Sequence, residues 1–242
     1  MNNNMPLFSI ITVVYNAAST IENTILSVLQ QRFSDYEYII IDGGSTDGTI
    51  DILKKYSDKI KWISEPDKGI YDAMNKGANK ASGKWLFYLG ADDLMYNCLD
   101  KIAPHFKEEN CIFYGDVIFK KTQIRYDGKF NSFKLIHKNL SHQALFYPKN
   151  VFMHYKYETK KYKYLADYFL NLQLWNDKRF KFQYISYVIS EYNDEGVSSL
   201  NMDKEFIFDR VKNTIKAMPY YYAPYIFLRL NIPVLKLKIN KK

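Results

Sequence analysis

The feature that most constrains this chain is an alternation running from residue 7 to residue 90. Leu7-Phe-Ser-Ile-Ile-Thr-Val-Val14 is a nearly continuous β-branched run, the pattern of a strand buried on both faces of a parallel sheet. A polar loop, Tyr15-Asn-Ala-Ala18, follows it. Ser19 and Glu22 then have the spacing of a capping box, and Ile21, Ile25, Val28 and Leu29 give a helical stripe. A second strand is expected over 36–41, ending in Asp42-Gly-Gly-Ser-Thr-Asp-Gly-Thr49, and a short helix after it carries Ile50, Leu53 and Lys54. A third strand is expected over 59–64, a helix over 70–81 between Gly69 and Gly83, and a fourth strand over 84–89. Repetition of this kind predicts an α/β, Rossmann-like half: a parallel sheet with helices on both faces and its strand-end loops gathered at one edge.

The pattern changes after residue 100. Residues 111–119 and 123–126 read as strands of a hairpin or mixed sheet, 132–138 fits either helix or strand, and 144–147 is a short strand. Leu165, Phe169, Leu172 and Leu174 give 164–175 helical spacing, 180–192 alternates as a long strand, and 202–217 reads as a helix. No repeat or low-complexity linker interrupts the chain, which predicts one domain over 1–217. Residues 218–242 mix aromatic and aliphatic side chains with Arg229, Lys236, Lys238, Lys241 and Lys242 and contain no acid. This basic aromatic extension either packs on the domain or lies on an anionic membrane surface.

Composition narrows the function classes. The 242 residues carry a net charge of +8, which favours anionic partners: nucleotide diphosphates, nucleic acid or anionic lipid. The charge is spread along the chain with no arginine-rich helix, which argues against nucleic acid. Cys98 and Cys111 read as buried thiols, too far apart for a zinc or redox motif. No run reaches the ~18 apolar residues of a membrane span, and the start lacks the basic flank of a secretory leader. A cytoplasmic location is expected.

Gly90-Ala-Asp-Asp93 closes the fourth strand. Taken alone, it is either a solvated turn with an Asp N-cap before a helix near Asn97, or a pair of hard oxygen ligands for a divalent cation that itself holds phosphates. In an open α/β sheet that edge is where ligands bind. Asp42 ends the second strand as a carboxylate able to accept a ring N–H of a base, beside glycines that let a ligand approach the backbone. Neither a G-x-G-x-x-G after the first strand nor a P-loop is present, which argues against a nicotinamide dehydrogenase and a P-loop enzyme.

Four motifs, in this order and spacing, resemble the family 2 glycosyltransferases of GT-A fold, the type that builds bacterial capsule, O-antigen and exopolysaccharide. They are Ser9-Ile-Ile-Thr-Val-Val-Tyr-Asn16, Asp42-Gly-Gly-Ser-Thr-Asp-Gly-Thr49, Gly69-Ile-Tyr-Asp-Ala-Met-Asn-Lys-Gly77 and Gly90-Ala-Asp-Asp93. The resemblance is dense over 5–95, looser to about residue 200, and absent over 218–242. It implies a nucleotide-binding half over 1–100 and an acceptor-side half over 101–217. Thr12, Val14, Tyr15, Asn16, Asp42 and Gly43 would surround the nucleotide. Asp72 and Asn75 would face it and its phosphates. Met74 stands where many relatives carry Arg, so Lys68 or Lys76 would supply charge there.

The resemblance also implies that Asp92 contacts the ribose or donor sugar and that Asp93 ligates Mn²⁺ or Mg²⁺. Asp167 would be the base that takes the acceptor's proton, with Glu158 and Asp177 as alternatives. His142 and Gln143 would meet the diphosphate or acceptor. Ser198, in a loop hinged at Gly196, would cover the diphosphate. Direct displacement would invert the anomeric centre. The implied donor is a nucleotide-sugar, a UDP-sugar for preference, and the acceptor a lipid-linked or oligosaccharide chain at the inner face of the cell membrane, with peripheral contact through 219–242. The rival readings are a sugar-nucleotide nucleotidyltransferase, which needs a Gly-rich, basic first loop that Tyr15-Asn-Ala-Ala18 does not supply, and a non-enzymatic basic binding module.

Overall fold

The computed structural model describes residues 5–194 and 203–230. In its first half, β1 (Phe8–Val14), β2 (Tyr36–Asp42), β3 (Lys61–Ser64) and β4 (Trp85–Gly90) run parallel in the spatial order β3-β2-β1-β4. The connecting helices are α1 (Ile21–Leu29), α2 (Thr49–Lys55) and α3 (Ile70–Lys80). Alternation along each strand sorts the side chains onto two faces. Ile11, Ile39, Ile41, Leu86 and Tyr88 meet Tyr71, Ala73, Met74 and Ala78 of α3. Ile10, Val14, Ile40, Phe87 and Leu89 meet Ile21, Ile25 and Val28 of α1 and Leu53 of α2. Gly77 lets α3 sit close, since a Cβ there would come within 2.5 Å of the Ile11 side chain.

The sheet continues past β4 through β8 (Leu145–Pro148), β6 (Cys111–Phe119), β9 (Lys181–Tyr192) and the short β5 (Leu94–Met95), while β7 (Arg125–Tyr126) pairs with β6. β8 is antiparallel to both neighbours and β6 is parallel to β9. The remaining helices are α4 (Leu99–Ile102), α5 (Ser132–His137), α6 (Val151–His154), α7 (Ala166–Asn176) and α8 (Lys204–Ala217). Leu170, Leu172 and Leu174 of α7 and Phe206 of α8 join the same core as α3. The α/β expectation holds: the sheet is parallel in the first half and mixed in the second.

Several local expectations change. The Ser19–Glu22 capping box does not form. Thr20 is the N-cap without a side-chain bond, and the Glu22 carboxylate accepts instead from Lys55 Nζ and Tyr56 OH at 2.6 and 2.7 Å. The third strand starts two residues late because Lys59 and Ile60 donate back to Tyr56 O and finish the turn after α2. The stretch expected over 132–138 resolves as the helix Ser132–His137, capped by Asn131 Oδ1 accepting from Lys134 N at 2.8 Å. Of the tail, residues 223–230 are helical and bury Ile226 and Leu230 in the α7–α8 core, so this part packs on the domain. Positions 231–242 lie outside the described residues. Among the described residues no helix is long and apolar enough to cross a membrane.

Candidate active site

Register puts the strand ends together. Val14 pairs with Asp42, Asp42 with Ser64, and Val13 with Gly90. At this edge Gly43 N donates to Val14 O at 2.9 Å. Asn16, at φ 49°, donates its N–H to Ser45 Oγ at 2.7 Å and accepts from Thr46 N at 2.9 Å. Asp47 holds the same loop through Ala18 N, Thr49 N and Thr49 Oγ1. Expected at the base, Asp42 lies fully buried beneath the loop. Its carboxylate accepts from Gly44 N and Ser45 N at 3.0 Å, from Ser64 Oγ at 2.6 Å and from Ser45 Oγ. Thr12 is buried inside the sheet with its hydroxyl 3.0 Å from Tyr38 OH, and Val14 is buried at the end of β1. Tyr15 is 63% exposed. Beside it lies a carboxylate that the sequence did not single out: a Cβ on Gly43 would stand 2.5 Å from Asp67 Oδ2 and 3.3 Å from the Tyr15 ring. A side chain on residue 43 would therefore require the Asp67 carboxylate to shift.

Beyond β4, the two carboxylates of Gly90-Ala-Asp-Asp93 differ in setting. Asp92 is half-buried and accepts from Asn193 Nδ2 at 2.7 Å. Asp93 is 2% exposed, and both its oxygens are engaged: Oδ1 accepts from Asn193 N at 2.8 Å, Oδ2 from Gly90 N at 3.1 Å and Gln143 Nε2 at 3.0 Å. Burial pushes its carboxyl up to about 6, and the Asp92 charge adds to this against the pull of Asn193, Gln143 and His142. Among the described residues no three His, Cys, Asp or Glu side chains converge as a metal cluster. The Asp92 and Asp93 carboxylates are hard oxygen donors of the kind that Mg²⁺ takes together with phosphate oxygens and water.

The acceptor-side carboxylate, Asp167 in the first turn of α7, is 7% exposed. Oδ1 lies 2.9 Å from Tyr71 OH and accepts from Tyr168 N at 2.8 Å. Oδ2 accepts from Asn139 Nδ2 at 2.8 Å and lies 3.3 Å from His142 Nδ1. A single 3-10 turn, 142–144, thus reaches both carboxylate sites, Asp167 through His142 and Asp93 through Gln143. The start of α7 is fixed from outside the helix by buried Asp203, which accepts from Lys163, Tyr164 and Leu165 N–H at 2.8–2.9 Å. Of these donors the Leu165 N–H is one that the helix N-terminus leaves free, and the other two belong to the chain just before it.

Two expected residues are held by protein partners. Asn75 is engaged at both ends of its amide by the Tyr157 backbone, at 3.0 and 2.9 Å. Asp72 accepts from Lys68 N at 3.1 Å and lies 3.8 Å from Lys76 Nζ, which also pairs with Glu65 at 3.0 Å. Its neighbour Tyr71, inside the same motif, is the residue of α3 that reaches Asp167. Ser198 and Gly196 lie outside the described residues. Tyr71 could have been found from the motif it sits in, and Asp67 stands two residues before that motif. Asn139, Asn193 and Asp203 are isolated polar residues in loops and leave no signal in the sequence.

A PGL/p-HBAD biosynthesis glycosyltransferase of Mycobacterium tuberculosis is 35% identical over 212 residues, 84% of this chain and 83% of that protein. Among solved structures, S. aureus TarS 1-349 in complex with UDP-GlcNAc superposes with a TM-score of 0.74 at 17% identity, over 93% of this chain and 72% of that one. The mannosyltransferase PcManGT from Pyrobaculum calidifontis, in complex with GDP-Man and Mn²⁺, gives 0.64 at 13% identity, over 95% and 70%. Both show that the fold is shared. The Glycosyl transferase family 2 model matches residues 9–169, and with the mycobacterial relative it establishes that the chain belongs to the family 2 glycosyltransferases.

Proposed function

We propose that the protein moves a sugar from a nucleotide-sugar donor to a hydroxyl of a saccharide or lipid-linked acceptor, with inversion at the anomeric carbon. The observation that carries this reading is the turn 142–144, which ties the Asp92–Asp93 pair to Asp167 across one edge of the sheet. Donor and acceptor carboxylates on opposite sides of one short turn suit an in-line displacement. The acceptor oxygen bonds to the anomeric carbon as the bond from that carbon to the diphosphate oxygen breaks, and Asp167 takes the acceptor proton. The diphosphate leaves with the electron pair. A divalent ion at Asp93, with Asp92 beside it, would neutralise that developing charge. Tyr15 offers an exposed ring for the base to stack on, and Asp67, facing the cleft beside Gly43, offers the acceptor for a base N–H that Asp42 is too enclosed to provide. A UDP-sugar fits this pair, since uracil carries such an N–H.

Family membership replaces the nucleotidyltransferase and nucleic-acid-binding readings. Asp167→Asn should keep UDP binding in Mn²⁺, measured by titration calorimetry, and lower turnover by about 10²–10⁴-fold; full turnover would remove Asp167 from the scheme. Peripheral membrane contact at the inner face is supported by Tyr220, Tyr221 and Leu228, which are 88%, 64% and 71% exposed. Co-sedimentation with anionic vesicles checks it, and its loss in a Tyr220→Ser, Tyr221→Ser variant is the expected outcome.

A further inference from the structure

Asp167 is the end of a one-way chain of hydrogen bonds that starts in the core. Tyr147, fully buried on β8, has its hydroxyl 2.8 Å from Asn171 Oδ1. Asn171 is also fully buried, one helical turn after Asp167 on α7, and donates from Nδ2 to Asn139 Oδ1 at 2.9 Å. Asn139, half-buried after α5, donates from Nδ2 to Asp167 Oδ2 at 2.8 Å. Every link runs in one direction. Burial keeps Tyr147 neutral by pushing its hydroxyl far above the usual range, and its proton lies toward Asn171 Oδ1. Leu140 O, which can only accept, lies 3.5 Å from Asn171 Nδ2 and favours the same orientation of that amide. A donating Tyr147 requires the Asn171 oxygen to face it. That turns the Asn171 NH₂ to Asn139, and so turns the Asn139 NH₂ to the carboxylate. A flipped Asn139 would set its oxygen against Asp167 and its NH₂ against the NH₂ of Asn171, leaving two mismatched pairs in a buried network.

We propose that Asn139 and Asn171 are positioning residues for the Asp167 base, with Tyr147 setting the direction of the chain. The inference rests on the reading of Asp167 as the base. Asn139 holds Oδ2, which His142 Nδ1 also approaches at 3.3 Å. The Tyr168 N–H holds Oδ1, with the single Tyr71 hydroxyl proton shared between Oδ1 at 2.9 Å and Tyr164 O at 2.7 Å, so the carboxylate plane is fixed from both sides. A base fixed in this way keeps its remaining lone pairs aimed at one point, which is where positioning raises rate. Asn171 touches neither substrate nor carboxylate, yet it governs which end of Asn139 meets Asp167.

The test uses the full chain and nucleoside diphosphate release from the best donor in a panel of UDP-, GDP- and dTDP-sugars. Asn139→Ala removes the donor. Asn171→Asp is isosteric, and its carboxylate attracts the Asn139 NH₂ and reverses that amide. Each change is expected to lower kcat about 10-fold or more with the donor KM unchanged. The double variant should be no slower than the slower single one, and neither change should slow Asp167→Asn further. Asn171→Ser, which keeps a hydroxyl able to donate to Asn139, should recover part of the rate lost in Asn171→Asp. Normal kcat in Asn139→Ala, or additive losses in the Asp167→Asn background, would overturn the proposal. Should Asn171→Asp fail to fold, the half-buried Asn139 still decides it. If Asp167→Asn itself turns over normally, the base assignment fails instead, a result distinct from failure of the relay.

Discussion

Two buried carboxylates sit at opposite ends of the same sheet and are treated in opposite ways. Glu37 lies level with Ser9 near the start of β1 and β2. Its Oε1 accepts from Ser9 Oγ, Ser82 N, Ser82 Oγ and Gly83 N, and its Oε2 accepts from Lys61 Nζ at 2.7 Å. Burial pushes Glu37 up, but Lys61 and the serine donors outweigh it and hold the carboxyl at about 2. Asp93, past the end of β4, has three neutral donors and a second carboxylate as neighbour, and stands at about 6. Burial acts on both. Burial weighs more on Asp93, 2% exposed against 9% for Glu37, and the neighbouring charge widens the gap: one carboxylate has Lys61, and the other has Asp92. A carboxylate neutralised within the protein fixes the fold, whereas a pair left net negative at a ligand-binding edge suits a charge brought by the donor complex.

The largest effect that could break this comparison belongs to Asp93→Asn. Removing its charge should lower turnover by about 10³-fold, the scale of losing one preorganised electrostatic contact at a leaving group. The amide turns one NH₂ toward protein donors, Asn193 N on one side or Gly90 N and Gln143 on the other, a cost of about 1–2 kcal/mol. It also removes a charge that burial and Asp92 disfavour, so little net loss of stability should accompany it. Nucleoside diphosphate release and thermal melting, measured together, separate the two. A large stability loss with normal turnover would make Asp93 a second Glu37.

The contrast also explains what could be seen in the sequence. The strands of the first half were legible because Leu7–Val14 and 84–89 carry their signal within a few residues. The Asp92–Asp93 pair was legible as part of an ordered motif, and Asp167 only as what the family resemblance implies. What positions them was not. Asn193 meets Asp93 across 100 residues of sequence, and Asn171 meets Asn139 across 32. No local pattern encodes such pairings, because each partner is a single polar residue whose meaning depends on the completed sheet. Local pattern also misled: Ser19 and Glu22 had capping-box spacing, but Lys55 and Tyr56, more than 30 residues on, compete for Glu22. Asp42 was legible as a strand-end carboxylate, whereas its enclosure by Ser45 and Ser64 followed from loop closure.

Glu37→Gln tests the structural side. With a folded value of about 2 and an ordinary value of 4.5, the Glu37 carboxylate contributes stability that is fully present above pH 4.5 and is lost as pH falls toward 2. The difference corresponds to about 3 kcal/mol at neutral pH. Urea unfolding at pH 7 should show a loss of that order in the variant, shrinking as pH falls toward 2, with kcat unchanged at temperatures where the variant stays folded. A changed kcat would mean that the two ends of the sheet are coupled.

Lys61→Met makes the smallest change and isolates the cation itself. The lysine side chain is 69% exposed while its partner is buried, so solvent screens the pair from one side only. For such a half-open pair the expected loss is about 1 kcal/mol or less, well under that of Glu37→Gln, because Ser9, Ser82 and Gly83 still donate. Without Lys61 the folded value of Glu37 should rise toward 4.5. Stability then begins to fall at a higher pH on acidification, and the gap to the unaltered protein closes as Glu37 protonates in both. Adding 1 M salt at pH 7 should also narrow the gap, since the exposed end of the pair lies within reach of counterions. Equal acid limbs for the two proteins would mean that the serine donors alone hold Glu37 down. The contrast with Asp93 would then rest on the number of hydrogen bonds and not on charge.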